Sequence, residues 1–449
     1  MHHYFPDLLE QLNQGEDHRK RKKYEKAELL LGAIMLFIFK EASRNAFNND
    51  RAEGKFAKNY VSAFGIRLPH MDTIDAFLRV LKEAELEEIK SKLIRLLLKK
   101  RVLHKFRMFE KYFSISVDGT GLATYKEAPY DSCLFRSYSI KTKDKEAKDT
   151  EMITKEEQEE QEEQGKKKVW FQPVLEAKLV CGNGFSISIC TEFILNEGEW
   201  DKQDCELKAF KRLADSLKNY FPRLPICIMA DGLYPNATFF DICKEKGWSF
   251  ILTLKDSQLK LIWEQVKQFD LLYKENKVCL SDQTTNKEKQ VICTYRWING
   301  VVYKGHKLNW IECVRTQSNI GGGEEQVNRF VHVTNLKINS LTAKEISLHG
   351  RLRWKIENEG FNTQKNGGYN LQHKFSRKSI RAIKNYYQAL QIAHLINQLV
   401  ELSTTIQQLV NAKVTIKHLW KVLIAFMYFG EITEVEFLQY FQRTRFQYC

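Results

Sequence analysis

Between residues 26 and 105 the apolar side chains return every three or four positions, as in "TIDAFLRVLKEAELEEIKSKLIRLLLKK", a spacing that predicts several helices. Pro69 and His70 interrupt the run, with Asp72 or Thr73 placed to cap the next helix. From residue 112 the period drops to two. "YFSISVDGTGL" reads as a strand, "VWFQPVLEAKLVCGNG" and "FSISICTEFIL" as a hairpin around Gly182 to Gly184. "DCELKAFKRLADSLKNYF" then reads as a helix with Asp204 as its cap, and "PICIMADGLYP" as a strand. "NATFFDICKEKG" is a helix closed by Gly247, and "WSFILTLKD" a further strand. Three strands, helix, strand, helix, strand is a mixed α/β order.

The segment from Lys141 to Lys168 has almost no apolar residues and reads as a mobile charged insertion between strands. Short strands return from Val278 to about Leu336. There Asn299 and Gly300 are the hairpin signal, since both accept positive φ, and the glycines at 321–323 mark a flexible turn. This region is expected to be a β-rich insertion. The chain is predicted to be helical again from Ala343 to about Asn362. From Ser376 onward it reads as amphipathic helices, the first carrying Arg377, Lys378, Arg381 and Lys384 on its opening turns. No repeat at a solenoid period is visible.

Composition narrows the function classes. A chain of 449 residues with 43% hydrophobic content can build two or three ordinary cores. Its 70 Lys+Arg against 56 Asp+Glu give a formal charge of +14, which favours a polyanionic partner such as nucleic acid. The ten cysteines form no CxxC pair and no His-x3-His accompanies them, so reduced thiols are expected rather than a zinc site. The apolar runs "LLLGAIMLFIF" and "HLWKVLIAFMYF" are too short or too interrupted to span a bilayer and read as buried helices. No signal peptide opens the chain, so the expected location is the cytoplasm, with no membrane partner.

Two aspartates carry the candidate chemistry. Asp118 and Asp231 each end a predicted strand and each is followed by glycine, which leaves the side chain open to a ligand. On neighbouring strands they could share a hard divalent ion, Mg²⁺ or Mn²⁺. Taken singly, Asp-Gly is also an ordinary turn. A third carboxylate would complete a site for two ions, the arrangement suited to in-line displacement at phosphorus. "RWKIENEGF" offers it. Arg353 and Glu357, four apart, share a helical face, whereas Glu357 and Glu359 point in different directions. Trp354 and Phe361 are expected to anchor this helix to the core. Glu192, Asp201, Asp204 and Glu206 are further acidic residues near the sheet; only Glu192 has a strand position that could bring it to the ions, in place of Glu357, and all four read first as caps or surface groups.

The element order, Asp118, Asp231 and "RWKIE" after a β-rich stretch resemble a DDE transposase of bacterial insertion sequences, in a branch similar to the insertion-sequence four family. The likeness runs from about Phe113 to Lys365, and the helical opening also resembles the N-terminal region of such transposases. It implies a ribonuclease H-like mixed sheet with flanking helices, a β-rich insertion, and helical N- and C-terminal regions. The implied division is a helical DNA-binding part at 1–110, a catalytic core at 111–275, the insertion at 276–340, the glutamate helix at 341–375 and C-terminal helices at 376–449.

That family's signature is Tyr, two residues, Arg, three residues, Glu, six residues, Lys. Arg353 and Glu357 fit it, while Gly350 stands for Tyr and Gln364 for Lys, with Lys365 one residue late. A one-residue displacement turns a side chain by about 100° on an ideal helix. The resemblance implies Asp118, Asp231 and Glu357 as ligands of two Mg²⁺ or Mn²⁺ ions, with Glu359 in reserve. It also implies Arg353, Lys365 or Lys355, Lys374, Arg377, Lys378 and Arg381 on DNA, and Trp297 and Trp310 stacking on an unpaired base. The partners would be double-stranded DNA with terminal inverted repeats and target DNA, held by a homodimer. A nuclease without strand transfer, and a DNA-binding protein that no longer cuts, stay open.

Overall fold

The computed structural model describes residues 4–139, 166–196, 204–270, 272, 275–283, 289–319, 325–377, 379–409 and 415–431. Helices α1 (Leu8–Asn13), α2 (Lys26–Ile38), α3 (Arg44–Ala52), α4 (Gly54–Phe64), α5 (Met71–Leu78) and α6 (Glu83–Lys99) come first. Strands β1 (Phe113–Tyr125), β2 (Leu134–Ser139), β3 (Lys166–Val180) and β4 (Ser186–Phe193) follow. The middle alternates: α7 (Glu206–Tyr220), β5 (Ile226–Ala230), α8 (Ala237–Lys246), β6 (Ser249–Thr253) and α9 (Lys260–Asp270). Then come β7 (Lys277–Gln283), β8 (Lys289–Tyr303), β9 (His306–Asn319) and β10 (Gln326–Thr334). The chain continues with α10 (Ala343–Leu352), a π-helical segment (Ile356–Asn362), α11 (Thr363–Asn366), α12 (Ile380–Glu401), α13 (Thr404–Leu409) and α14 (Ile416–Phe429).

All ten strands join one mixed sheet in the order β2-β3-β1-β5-β6-β10-β9-β8-β7, with β4 beside the second half of β3. The β1-β5-β6 centre is parallel and the rest antiparallel. This is the mixed α/β, ribonuclease H-like architecture expected from the sequence. The β-rich insertion is no separate layer, because β10 pairs with β6 and so carries β7–β10 onto the same sheet.

Alternation along the central strands covers both faces. Ile226 and Ile228 enter a large apolar cluster shared with Leu30 of α2, Leu213 of α7 and Leu390 of α12. Cys227 and Met229 enter a second cluster with Ile346 of α10 and Trp297. The first cluster crosses the expected boundary near residue 110, and it includes α12, which is buried on all sides rather than amphipathic. Buried Gln364, Gln391, His394 and Gln398 offset their own desolvation by hydrogen-bonding one another.

Several local expectations change. Asn299 and Gly300 do not turn the hairpin. They form a bulge inside β8, where Asn299 hydrogen-bonds Ile338, and the turn falls on Lys304 and Gly305, both at positive φ. His70, not Asp72 or Thr73, caps α5, and Cys205 rather than Asp204 precedes α7. Strand β2 and helix α9 have no counterpart in the sequence reading. Lys166 to Lys168 belong to β3, and the rest of the charged insertion, like the glycines at 321–323, lies outside the described residues. Arg377 precedes α12 and Arg381 lies in its first turn.

Candidate active site

Asp118 does not end its strand, since β1 continues to Tyr125 on its antiparallel partner β3. What ends beside it is the parallel ladder: the last β1-β5 pair is Ser116 with Met229. Asp118 and Asp231 are each two residues beyond that pair, so adjacent strands deliver both carboxylates at the same level. Each then anchors one oxygen locally. The Gly119 N–H donates to Asp118 Oδ1 at 2.9 Å and the Leu233 N–H to Asp231 Oδ1 at 2.8 Å.

The glutamate helix is docked on the same face of β1. Ser114 Oγ lies 2.6 Å from His349 Nδ1, and Ser116 Oγ donates to the Arg353 carbonyl at 3.3 Å. One period further on, Asp118 Oδ2 meets Arg353 Nη1 at 3.4 Å. The same guanidinium nitrogen is 2.7 Å from Glu357 Oε1. Arg353 therefore stands between two of the expected cation ligands. Burial, opposed by Arg353 and reinforced by Glu357 and Glu206, pushes the Asp118 carboxyl up to about 7.

His332 and His349 are both held neutral by burial, their imidazoles lowered to about 4, with Arg351 and Arg353 adding to the effect at His332. His332 also explains the missing tyrosine. A Cβ on Gly350 would stand 2.5 Å from His332 Nε2, so only glycine lets α10 approach β10. Glu357 itself rides on the π-helical segment, whose i→i+5 turn holds one residue more than an α turn. The 100° displacement expected for Lys365 presumed an unbroken α-helix. The wider turn takes up the extra residue, while Gln364 is buried against Gln391 and His394.

Other expected residues are placed differently. Glu359 pairs with Lys355 at 2.5 Å. Arg212 holds both Glu192 and Asp204 at 2.5 Å. Trp297 and Trp310 are buried, Trp310 against Trp263 with ring centroids 5.9 Å apart, so neither is open to a base. Trp354, expected to be an anchor, is 59% exposed beside Arg353, and Phe361 alone is buried, under the Lys178 ammonium at 4.9 Å. Lys374 lies over the Tyr125 ring at 4.5 Å, Lys384 pairs with Glu83, and Arg377 and Arg381 are exposed. Lys378 and Asp201 lie outside the described residues.

Sequence reasoning set Glu206 aside as a cap or surface group. It opens α7 and packs on Gly119, where a Cβ would come within 2.7 Å of its carboxyl carbon. Burial and Asp231 raise its carboxyl above the usual range. A groove of about 460 Å³ runs from it past Gly119, Gly121, Phe171, Arg136 and Lys374, with the Arg136 guanidinium 4.5 Å above the Phe171 ring. No signal in the sequence separated Glu206 from any other acidic first-turn residue.

Among the described residues no three His, Cys, Asp or Glu groups stand together closely enough to hold a metal ion as the protein is folded here, and Arg353 supplies the positive charge instead. The donors Asp118, Asp231 and Glu357 are all carboxylates, the ligand type that hard divalent cations take. Among the described residues, no helix is long and apolar enough to cross a membrane.

No curated protein matches the chain. Residues 201–395 match the family model of the transposase DDE domain, a span that takes in Asp231, the β7–β10 strands, Arg353 and Glu357. Asp118 lies upstream of the matched span, on the strand paired with β5, and over residues 201–395 the chain is similar to the DDE transposase family.

Proposed function

We propose that this chain is a transposase that cleaves DNA at the ends of an insertion sequence bounded by terminal inverted repeats and joins them to target DNA, as a homodimer of the insertion-sequence four-like branch. The observation that carries this reading is the common level of Asp118 and Asp231 past the β1-β5 ladder, with Glu357 tied to Asp118 through one guanidinium. Asp118, Asp231 and Glu357 are the residues that would hold two Mg²⁺ or Mn²⁺ ions. Such ions, when bound, polarise the phosphodiester and lower the pKa of an attacking water or 3′-hydroxyl.

The chain's own side chains position the DNA. Arg353, released from two carboxylates, is within reach of a phosphate next to the scissile bond. Trp354 offers the exposed ring that Trp297 and Trp310 do not, and is suited to stacking on an unpaired base. Arg136 and Lys374 line the groove beside the carboxylates, and Lys365, Arg377, Lys378 and Arg381 add phosphate contacts that weaken as salt rises.

The test is cleavage and joining of duplexes carrying the element's own ends, with and without Mg²⁺. Wild type is expected to cut and join, and Glu357→Gln to bind the duplex but lose at least about 100-fold in cleavage, a loss of several kcal/mol of transition-state stabilisation. Full cleavage by Glu357→Gln would remove Glu357 from the site. Cutting without joining would make the chain a nuclease, and binding without cutting a DNA-binding relic.

A further inference from the structure

We propose that Lys178 is the positioning residue of the glutamate segment, a buried cation that fixes the end of the turn on which Glu357 rides. The proposal rests on the reading of Glu357 given above and adds a residue that acts through it. Lys178 is fully buried on β3, and several contacts of the segment converge on its side chain. Its Nζ lies 4.9 Å from the centroid of the Phe361 ring, and Phe361 follows Glu357 by four residues. Its aliphatic stem meets Gly360, where an added Cβ would stand 3.3 Å from Lys178 Cδ and 2.9 Å from Ser186 Oγ. Nζ also donates to Gln391 Oε1 at 3.2 Å, the oxygen that accepts from Gln364 at 2.8 Å, so the turn that follows is tied to the same point.

Sheet register makes Lys178 one of a pair of anchors. It stands opposite Ser116 on β1, whose hydroxyl donates to the Arg353 carbonyl at 3.3 Å. Ser116 thus holds the start of the stretch from Arg353 to Phe361 and Lys178 holds its end, from cross-strand neighbours on one face of the sheet. Between the two anchors the Glu357 side chain stays half exposed. A methionine of similar length would fill the same space without desolvating a charge, so packing alone does not call for an ammonium here. What the ammonium adds is direction. It is attracted to the face of a ring and to an amide oxygen, and each attraction fixes an orientation that apolar contact leaves free. Glu176, two residues before it on the same face, takes its hydrogen bonds among the described residues from the hydroxyls of Thr191 and Tyr387, at 2.6 and 2.9 Å, rather than from this ammonium.

The experiment is amide hydrogen exchange of the full chain in chelator, read peptide by peptide by mass spectrometry, beside cleavage kinetics with Mg²⁺ on a duplex carrying the element's ends. Lys178→Met keeps side-chain length and removes the charge. Phe361→Leu keeps an apolar side chain and removes the ring. Lys178→Met is expected to speed exchange in residues 356–366 about tenfold, with exchange in β1 and β5 and the melting temperature held, and to lower kcat about tenfold with KM for DNA unchanged. Phe361→Leu should do the same, and the double variant should be no slower than either single one, because the two side chains form one contact. Three results would each overturn the role of Lys178: unchanged exchange in 356–366, faster exchange throughout the chain with a lower melting temperature, or a faster segment with cleavage at the wild-type rate. Losses that multiply in the double variant would overturn it as well. Glu357→Gln, run alongside, tests the reading on which this rests. Full cleavage by that variant, or none by wild type, would overturn the assignment of Glu357, while the exchange data would still decide by themselves whether Lys178 holds the segment.

Discussion

The two aspartates and the glutamate are held in position by opposite means. Asp118 and Asp231 are fixed by backbone: adjacent parallel strands, a shared register, and a local N–H on one oxygen of each. Glu357 is fixed by side chains. It sits on a π-helical segment, is half exposed, and is held by Arg353, which also reaches Asp118. Register on a buried sheet is set by the whole hydrophobic pattern and moves only if every side chain moves. An ion pair on a wide helical turn can be exchanged for another partner at small cost. Two carboxylates are thus set by sheet register and one by a side-chain ion pair, which on the reading proposed above makes Glu357 the recruitable one, with Arg353 balancing its charge and that of Asp118.

The largest effect should come from the immobile side. Asp118→Asn is expected to lower cleavage by about 1000-fold or more, several kcal/mol of transition-state stabilisation. Its effect on stability has the opposite sign. The folded carboxyl titrates at about 7 and the unfolded one near 3.8, so between those values the folded state binds more protons and stability falls as pH rises. The penalty is fully present above pH 7 and absent below about pH 4. Urea unfolding in chelator at pH 8 should therefore find Asp118→Asn more stable by a few kcal/mol, and at pH 4 nearly equal to wild type. A destabilised Asn variant at pH 8 would mean that Asp118 is satisfied by Arg353, and the contrast between fixed aspartates and a recruitable glutamate would lose its electrostatic basis.

The tryptophans sharpen the same contrast one step down in size. Trp310→Ala, on the sheet, should cost about 3–5 kcal/mol of stability. Trp354→Ala, on the recruitable element, should leave the melting temperature nearly unchanged while weakening binding to a duplex with unpaired end bases by about 1–3 kcal/mol. Equal binding by the Trp354 variant would remove it from the DNA path. Next in size is Gly350→Ala, whose Cβ meets His332 and should cost about 1–3 kcal/mol. His332→Ala in the same chain should recover part of that loss. Without recovery, α10 would be positioned by something other than its close approach to β10.

What the sequence disclosed was the regular part. Period-two alternation located β1, β5 and β6, and the Asp-Gly pairs located the two aspartates, because a charged residue followed by glycine at the end of an apolar alternating run is conspicuous. The pattern could not disclose register, and register is what makes Asp118 and Asp231 neighbours rather than two turn residues. It also could not disclose close approach. Gly119 reads as a turn glycine, yet its use is the space it leaves for Glu206. Trp297, Trp310 and Trp354 look alike in sequence, and only the pairing of β8 with β9 buries the first two. Asn299-Gly300 met every local rule for a hairpin, but Asn299 is engaged by Ile338 and the turn moved to Lys304-Gly305.

The smallest effect tests the π turn. On an unbroken α-helix, residue 364 would follow Glu357 at the signature spacing and residue 365 would point elsewhere. With one extra residue in the turn, Gln364 faces inward to Gln391 and His394. Lys365, the next residue, is only half-buried and has no place in that network. Lys365→Ala should accordingly lower DNA affinity by about 1 kcal/mol or less and reduce the slope of log K against log salt by about 1, the signature of one lost phosphate contact. Gln364→Lys, which restores the signature in sequence, should gain no DNA affinity and should destabilise the fold, since it puts an ammonium into a buried amide network that already contains Lys178. An unchanged salt slope for Lys365→Ala, together with tighter DNA binding by Gln364→Lys, would mean that the turn closes to an ordinary α-helix on DNA, and that the recruitable side of the site includes its helical register as well as its glutamate.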